Sequence, residues 1–202
     1  MSENTQVAVV GPPTPMVLSV ARRLRDGIAR GEMLPGADGP RSVVLRAAGD
    51  AQRAHIAFTD DAVVVGAVGD AELVWEVNWF DPEPADSDAA GDFGKVVGRL
   101  LSARTVDWRT AAADFWARAG ASDGMPTGLV VTCVDEEAEA VLGTPTTEGS
   151  ARPRTAAALA AFFDGRSTLV GALEGGEFGM NLSFPHFSAL FGADLKVVCG
   201  EL

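Results

Sequence analysis

The chain has no tyrosine, two histidines, two cysteines and only two lysines, Lys95 and Lys196. Each shortage excludes a class of function. Cys133 and Cys199 lie far apart within the apolar runs "LVVTCV" and "LKVVCG", so they supply neither a disulfide framework nor a CxxC site and read as small core residues. His55 and His186 form no HxxxH or HExxH pair, and the inventory holds no metal-ligand pattern. No apolar run approaches the ~18–20 residues of a membrane span, so stable membrane insertion is not expected. The opening "MSENTQVAVVGPPTPM" lacks a basic region ahead of an apolar stretch, and a cytoplasmic location is the simplest expectation. Positive charge is scarce as well: 16 Lys and Arg stand against 28 Asp and Glu, for a net charge of −12. Such a field repels phosphate backbones and anionic headgroups, which argues against a nucleic-acid partner. The scarcity of lysine beside abundant arginine and alanine points to a GC-rich bacterial genome.

What is present is globular: 202 residues, 47% hydrophobic and 22% charged, enough for one substantial domain or two small units. "TPMVLSVARRLRDGIARG" reads as an amphipathic helix capped by Thr14 with Pro15 in its first turn, Val17, Val20, Leu24 and Ile28 forming the apolar stripe and the arginines facing water. Segments 42–47, 53–58, 62–67 and 72–80 read as strands joined by short Gly- and Asp-rich turns, an arrangement that suits an antiparallel meander. In the last of them Leu73, Trp75, Val77 and Trp79 share one face. An acidic loop (81–92) precedes one or two helices, with Asp107 as a cap. Strands are expected at 127–134 and in "EAEAVLG", with "DEEAE" a solvated turn and 144–155 a second loop. Two short helices follow, the second begun by Ser167, then the strand "EFGMNLSF", a helical turn or two in "PHFSALFG" and a closing strand "DLKVVC". The ordering predicts a single α+β domain over 1–202, built on an antiparallel sheet covered by helices. "HIAFTDDAVVVG" and "VVTCVDEEAEAVLG" echo one another, so an internal duplication with halves 14–100 and 101–202 is carried as an alternative.

The densest chemistry lies in "GALEGGEFGMNLSFPHFSALFGADLKVV", residues 171–198. Its glycines match neither G-x-G-x-x-G nor G-x-x-x-x-G-K-[ST], and they sit between a helix and a strand, so Gly175 or Gly176 serves as a helix stop and Gly179 leaves room for close approach. No G-x-S-x-G elbow accompanies His186 and Ser188. Aromatic and apolar residues are the remaining signal, and they build either an ordinary core or the wall of an apolar cavity. The candidate lining is Trp75, Trp79, Phe162, Phe163, Phe178, Met180, Phe184 and Phe187, with His186 the first acid–base candidate and Asp164, Glu177 or Asn181 as helpers.

"AAALAAFFDGRSTLVGALEGGEFGMNLSFPHFSAL" resembles the end of a sterol carrier protein type 2-like domain, most clearly over residues 156–190. Phe162 to Gly165 matches that family's first short helix and its stop, "STLVGALEGG" the next helix, "EFGMNLS" the strand, and Phe187 to Leu190 the start of the last helix. Upstream, "RAHIAFTDDAVVVGAVGDAELVWEVN" is similar to its strand meander. The chain departs in length, in the extra residues 81–155, and in ending with "DLKVVCGEL" rather than a longer apolar helix. The resemblance implies an α+β fold around an apolar tunnel that takes sterols, acyl chains or other flat hydrophobic molecules without metal or redox cofactor.

Three readings follow. The first is cofactor-independent binding or transfer of an apolar small molecule of sterol, lipid, isoprenoid or polyketide type, in a bacterial secondary pathway. The second is a cofactor-independent cyclase, isomerase or hydratase using the same cavity with His186 as acid–base. The third is a protein–protein interaction module with an aromatic surface.

Overall fold

Five residues without turn or cap signals of their own, Gln6–Val10, open the fold as strand β1, which the sequence reading did not anticipate. Helix α1 (Pro15–Ala29) follows, its start fixed as expected: the Thr14 side chain accepts the Val17 N–H at 3.3 Å. Strands β2 (Ser42–Ala47), β3 (Arg53–Phe58), β4 (Ala62–Gly66) and β5 (Leu73–Val77) lie within the segments read as strands from the sequence. A 3-10 turn (Ser87–Ala90) leads into helix α2 (Gly91–Leu101). These elements belong to the first of two compact units, Met1–Arg104 and Thr105–Leu202. The structure is a computed structural model that describes residues 6–36, 41–60, 62–103, 105–145 and 149–202. The turn "TDDA" and the loop 144–155 each include positions outside those residues. The single domain read from sequence carried an alternative repeat boundary after residue 100; the contact boundary between the units follows Arg104.

The five-stranded sheet of the first unit has the order β1-β4-β3-β2-β5 and is mixed. Strands β2, β3 and β4 form the expected antiparallel meander, but β5 does not continue it: β5 runs parallel to β2 on the opposite edge. The free edge of β4 is occupied by β1, in parallel register from Gln6↔Ala62 to Val10↔Gly66. Stagger makes the short crossing to β5 possible. Val65 is level with Ile56, Ile56 with Val43, and Val43 with Leu73, so β5 starts at the level where β4 ends. Residues 67–72 therefore move sideways over three strand spacings, roughly 14 Å, with no helix needed to return the chain. Val43, Leu45, Ile56, Val63, Val65 and Trp75 form the core side of this sheet, against Met16, Val20 and Leu24 of α1 and Leu100 of α2.

Not every arginine of α1 faces water. Arg23 is 1% exposed, and its Nη2 donates to Asp81 Oδ1 at 3.1 Å. Asp81 begins the acidic loop, which is docked rather than free: its 3-10 turn lies against α2, where a Cβ on Gly98 would stand 2.6 Å from Ser87 Oγ.

The second unit comprises α3 (Trp108–Ala119), β6 (Gly128–Cys133), β7 (Ala138–Gly143), β8 (Gly149–Pro153), α4 (Ala156–Phe163), α5 (Leu169–Glu174), β9 (Phe178–Leu182) and α6 (Phe184–Cys199). Its four-stranded sheet, ordered β7-β6-β8-β9, is also mixed: β6 pairs β7 antiparallel and β8 parallel, and β8 pairs β9 antiparallel. The α+β class therefore holds, with two sheets and six α-helices among the described residues, whereas a purely antiparallel sheet does not.

Two expectations for this half are corrected. The loop 144–155 contains β8, a strand that ends in Pro153 and carries Arg152 outward, too polar to stand out as a strand. "DLKVVC" is not a strand but the second half of α6. Leu190, Ala193, Asp194, Val197 and Val198 recur at helical spacing and are buried together, and this face outweighs the β preference of the paired valines. Asp107 caps α3 as expected, accepting from the N–H of Arg109 and of Thr110 at 3.1 Å each. For α5 the cap is Thr168, one residue after the Ser167 expected.

Removing the carboxylate opposite Arg23 takes one charged acceptor from a buried guanidinium, whereas removing both groups leaves no guanidinium to satisfy. Asp81→Ala is expected to lower unfolding stability by about 1–3 kcal/mol, and Arg23→Met combined with Asp81→Ala by less than Asp81→Ala alone. Urea unfolding of the three proteins checks the order; an additive double variant contradicts it.

Candidate functional site

The aromatic residues singled out from sequence fall into separate cores. Trp75 is buried in the first unit, and Trp79 packs partly buried against the same core, edge-on to Phe80 at 5.6 Å. Phe162, Phe163, Phe178, Met180, Phe184 and Phe187 belong to the second unit. There Phe115 of α3, Phe162 and Phe163 of α4 and Phe178 of β9 interlock, with ring centroids 5.0 Å apart for Phe162–Phe163 and 5.1 Å for Phe162–Phe178. Phe115 closes the group at 5.9 Å from Phe162 and 5.4 Å from Phe163. The rings touch one another in tilted and edge-on contacts and form a filled layer.

The apolar surface continues beyond this layer. Register places Phe178, Met180 and Leu182 on the core face of β9, opposite Pro153, Ala151 and Gly149 of β8. Phe178 is 6% exposed, while Met180 and Leu182 are only partly buried against the core. Phe187 and Phe191, one turn apart on α6, are partly buried in the same way. Phe184, three residues before Phe187 at the first position of α6, is 81% exposed. Strand β9 is an edge strand and α6 begins directly after it, so these residues make an apolar seam at the surface of the second unit.

Polar groups near the seam are few. The backbone N–H of His186 donates to the Oγ of Ser183, the α6 cap, at 3.4 Å. The His186 ring is half-buried, and its Nδ1 is buried without a hydrogen-bond partner among the described residues. Of the suggested helpers, Asn181 lies on the opposite face of β9 from Met180, Glu177 is exposed, and Asp164 lies 3.4 Å from Arg166 in an ion pair. Gly176, at φ 68°, supplies the left-handed turn into β9, which Gly175 at φ −69° does not. Gly179 answers no steric need: the nearest atom to a Cβ there is Arg152 O at 3.7 Å. His55 has a close neighbour that its sequence did not reveal, because a Cβ on Gly69 would run into its imidazole ring.

The "DEEAE" segment is more than a solvated turn. Asp135 accepts the Ala156 N–H at 3.0 and 3.2 Å through its two oxygens and the Cys133 thiol at 3.0 Å. Its carboxyl is held below the usual range mainly by that thiol bond, while burial followed by the Asp135 hydrogen bond pushes the Cys133 thiol up. Glu136 Oε2 accepts from Trp108 Nε1 and from Arg109 Nη1, each at 3.0 Å, and the Arg109 guanidinium lies 4.4 Å from the centre of the Trp108 ring. This turn clasps the starts of α3 and α4, and Cys133 is a buried core residue as expected. Among the described residues no three His, Cys, Asp or Glu side chains gather as a metal site, and no helix is long and apolar enough to cross a membrane.

Asp194 was not singled out from sequence. Within α6 it is fully buried, and its Oδ2 accepts the Leu169 N–H at the start of α5 at 2.8 Å. Reading "DLKVVC" as helix would have found it, because Leu190, Ala193 and Val197 put Asp194 on an apolar face. Comparison with known proteins found no matching family model, no matching curated protein and no matching solved structure.

Phe178→Asp would place a carboxylate inside the ring cluster. It is expected to cost about 3–5 kcal/mol, through the lost ring and the buried charge, and to unfold the second unit. Near-ultraviolet circular dichroism and thermal unfolding check this; a folded variant with wild-type Tm contradicts it.

Proposed function

We propose that the second unit binds a small apolar molecule, of sterol, acyl-chain, isoprenoid or polyketide type, at the seam between β9 and the first half of α6. The observation that carries the reading is the succession of apolar residues along β9 and the start of α6, from the buried Phe178 through the half-buried Met180, Phe187 and Phe191 to the exposed Phe184. An exposed phenylalanine next to partly buried ones costs solvation in the free protein, and covering it with a ligand recovers about 25 cal/mol per Å² of apolar area. On this reading Phe162, Phe163 and Phe178 form the floor and do not touch ligand, Met180, Phe184 and Phe187 make the contacts, and Trp75 and Trp79 serve the core of the first unit.

The sterol-carrier resemblance is consistent with this assignment. Helix α6 runs for 16 residues and takes in "DLKVVC", the segment whose reading as something other than a longer apolar helix was one of the departures from that family. The proposed chemistry uses no metal and no redox cofactor.

A catalytic version of the site is favoured by one observation, the buried Nδ1 of His186 at the start of the same helix, which has no hydrogen-bond partner among the described residues. In that version His186 moves a proton on a bound apolar substrate, and Asn181 and Glu177 take no part.

The test is native mass spectrometry of the protein from its producing cell, then titration with a fluorescent fatty acid and a fluorescent sterol. The expected result is a stoichiometric apolar molecule on the purified protein, with affinity for at least one probe falling about tenfold or more in Phe184→Asp at unchanged Tm. An empty protein, with probe affinity unaltered by Phe184→Asp, overturns the reading. Incubating the recovered molecule with wild-type protein and with His186→Ala separates carrier from enzyme: conversion by the first and not the second is expected of a catalyst.

A further inference from the structure

The start of α5 is tied to α6 by one buried carboxylate. Asp194 is 0% exposed, its Oδ2 accepts the Leu169 N–H at 2.8 Å, and its Oδ1 has no hydrogen-bond partner among the described residues. No ion pair neutralises it among those residues. Helix α4 and strand β9 carry no titratable side chain, and α5 carries only Glu174, exposed at its far end. On α6 itself stand His186, the exposed Lys196 and Cys199; in the turn before α5, Asp164 and Arg166 lie 3.4 Å apart as an ion pair. Asp123, in the loop after α3, lines an open groove beside α6 together with Lys196. The ionised form of Asp194 thus sits in a dry environment with a single hydrogen-bond donor. A protonated carboxyl can keep that donor through its carbonyl oxygen, and a neutral unpaired hydroxyl costs far less than an unpaired anionic oxygen.

We propose that Asp194 is a proton-operated latch: protonated, it holds the start of α5 on α6, and ionised, it favours release of α5 while the sheet stays folded. Burial raises this carboxyl from 3.8 to about 7, against the smaller lowering effect of the Leu169 N–H. The closed state therefore binds more protons than the open one between these values, and it loses stability as pH rises through that window. Because the chain passes from α5 directly into β9, release would loosen the segment leading into the apolar seam; that consequence alone rests on the ligand-binding reading above.

Hydrogen exchange of the ligand-free protein tests the latch independently of any ligand. After correction for intrinsic exchange rates, amides of residues 169–174 are expected to lose protection about 30-fold between about pH 5.5 and about pH 8.5, from the difference between 3.8 and about 7. Amides of β6 should keep theirs, and Asp194→Asn should abolish the change in α5. A wild-type change under about threefold, an equal loss in β6, or a loss that persists in Asp194→Asn overturns the proposal. Where Asp194→Asn does not fold, the carboxyl carbon resonance of Asp194 in the wild-type protein decides: a midpoint near 7 supports the latch, and one near 4 overturns it.

Discussion

The second unit is organised by four phenylalanine rings that can be placed only together. Phe115, Phe162, Phe163 and Phe178 come from α3, α4 and β9, elements separated in sequence by strands and loops. Each ring contact contributes about 0.5–1.5 kcal/mol beyond its buried area, and a shift of α3 or of β9 loses the contacts that its own ring makes with α4. Strand β9 has a hydrogen-bonded neighbour on one side only, so Phe178 is the anchor that holds this edge strand to the core. Once Phe178 is placed, the pleat turns Met180 and Leu182 to the same face, and Ser183 caps α6 one residue later. The apolar seam follows from this chain of constraints: its residues are those that the ring cluster positions without covering.

Charge is handled differently in the two units. In the first, the buried Arg23 meets the partly exposed Asp81, so the guanidinium is neutralised and the acidic loop is pinned at its first residue. In the second, Asp194 is buried with no such partner among the described residues, and its backbone donor offsets only part of the desolvation. The β6–β7 turn shows a third arrangement, with Asp135 and Glu136 at the surface accepting hydrogen bonds from the starts of α4 and α3. Among the described residues, an acidic protein thus uses most of its carboxylates at the surface, some of them as clasps, and buries Asp194 where ionisation opposes packing.

Both units repeat one pattern of strand pairing. A helix precedes an antiparallel hairpin, and the first hairpin strand takes a later strand as its parallel neighbour: β2 lies between β3 and β5, and β6 between β7 and β8. The echo noticed in the sequence aligns a different pair, β3–β4 with β6–β7. Its likeness is that of an acidic turn between two apolar strands, and the pairing pattern is set by which strand edges remain free.

Local signals determined much of this protein. The strands β2, β3, β4 and β6 were legible because short runs rich in β-branched and apolar residues favour extended chain, and the starts of α1 and α3 because a capping oxygen must sit one residue ahead of the first turn. Membership of the aromatic core in Phe162, Phe163 and Phe178 was legible from composition alone, though a filled core and the wall of a cavity use the same residues. Whatever depends on partners distant in sequence was not legible. The parallel pairs β1–β4, β2–β5 and β6–β8 depend on which edges other strands leave open, and β8 is too polar to announce itself. The burial of Arg23 requires Asp81, 58 residues away, and the exposure of Phe184 depends on where the ring cluster stops. Asp194 was hidden for the same reason. A carboxylate on an apolar helix face is visible in sequence once the helix is recognised, but only packing against α5 decides that water does not reach it.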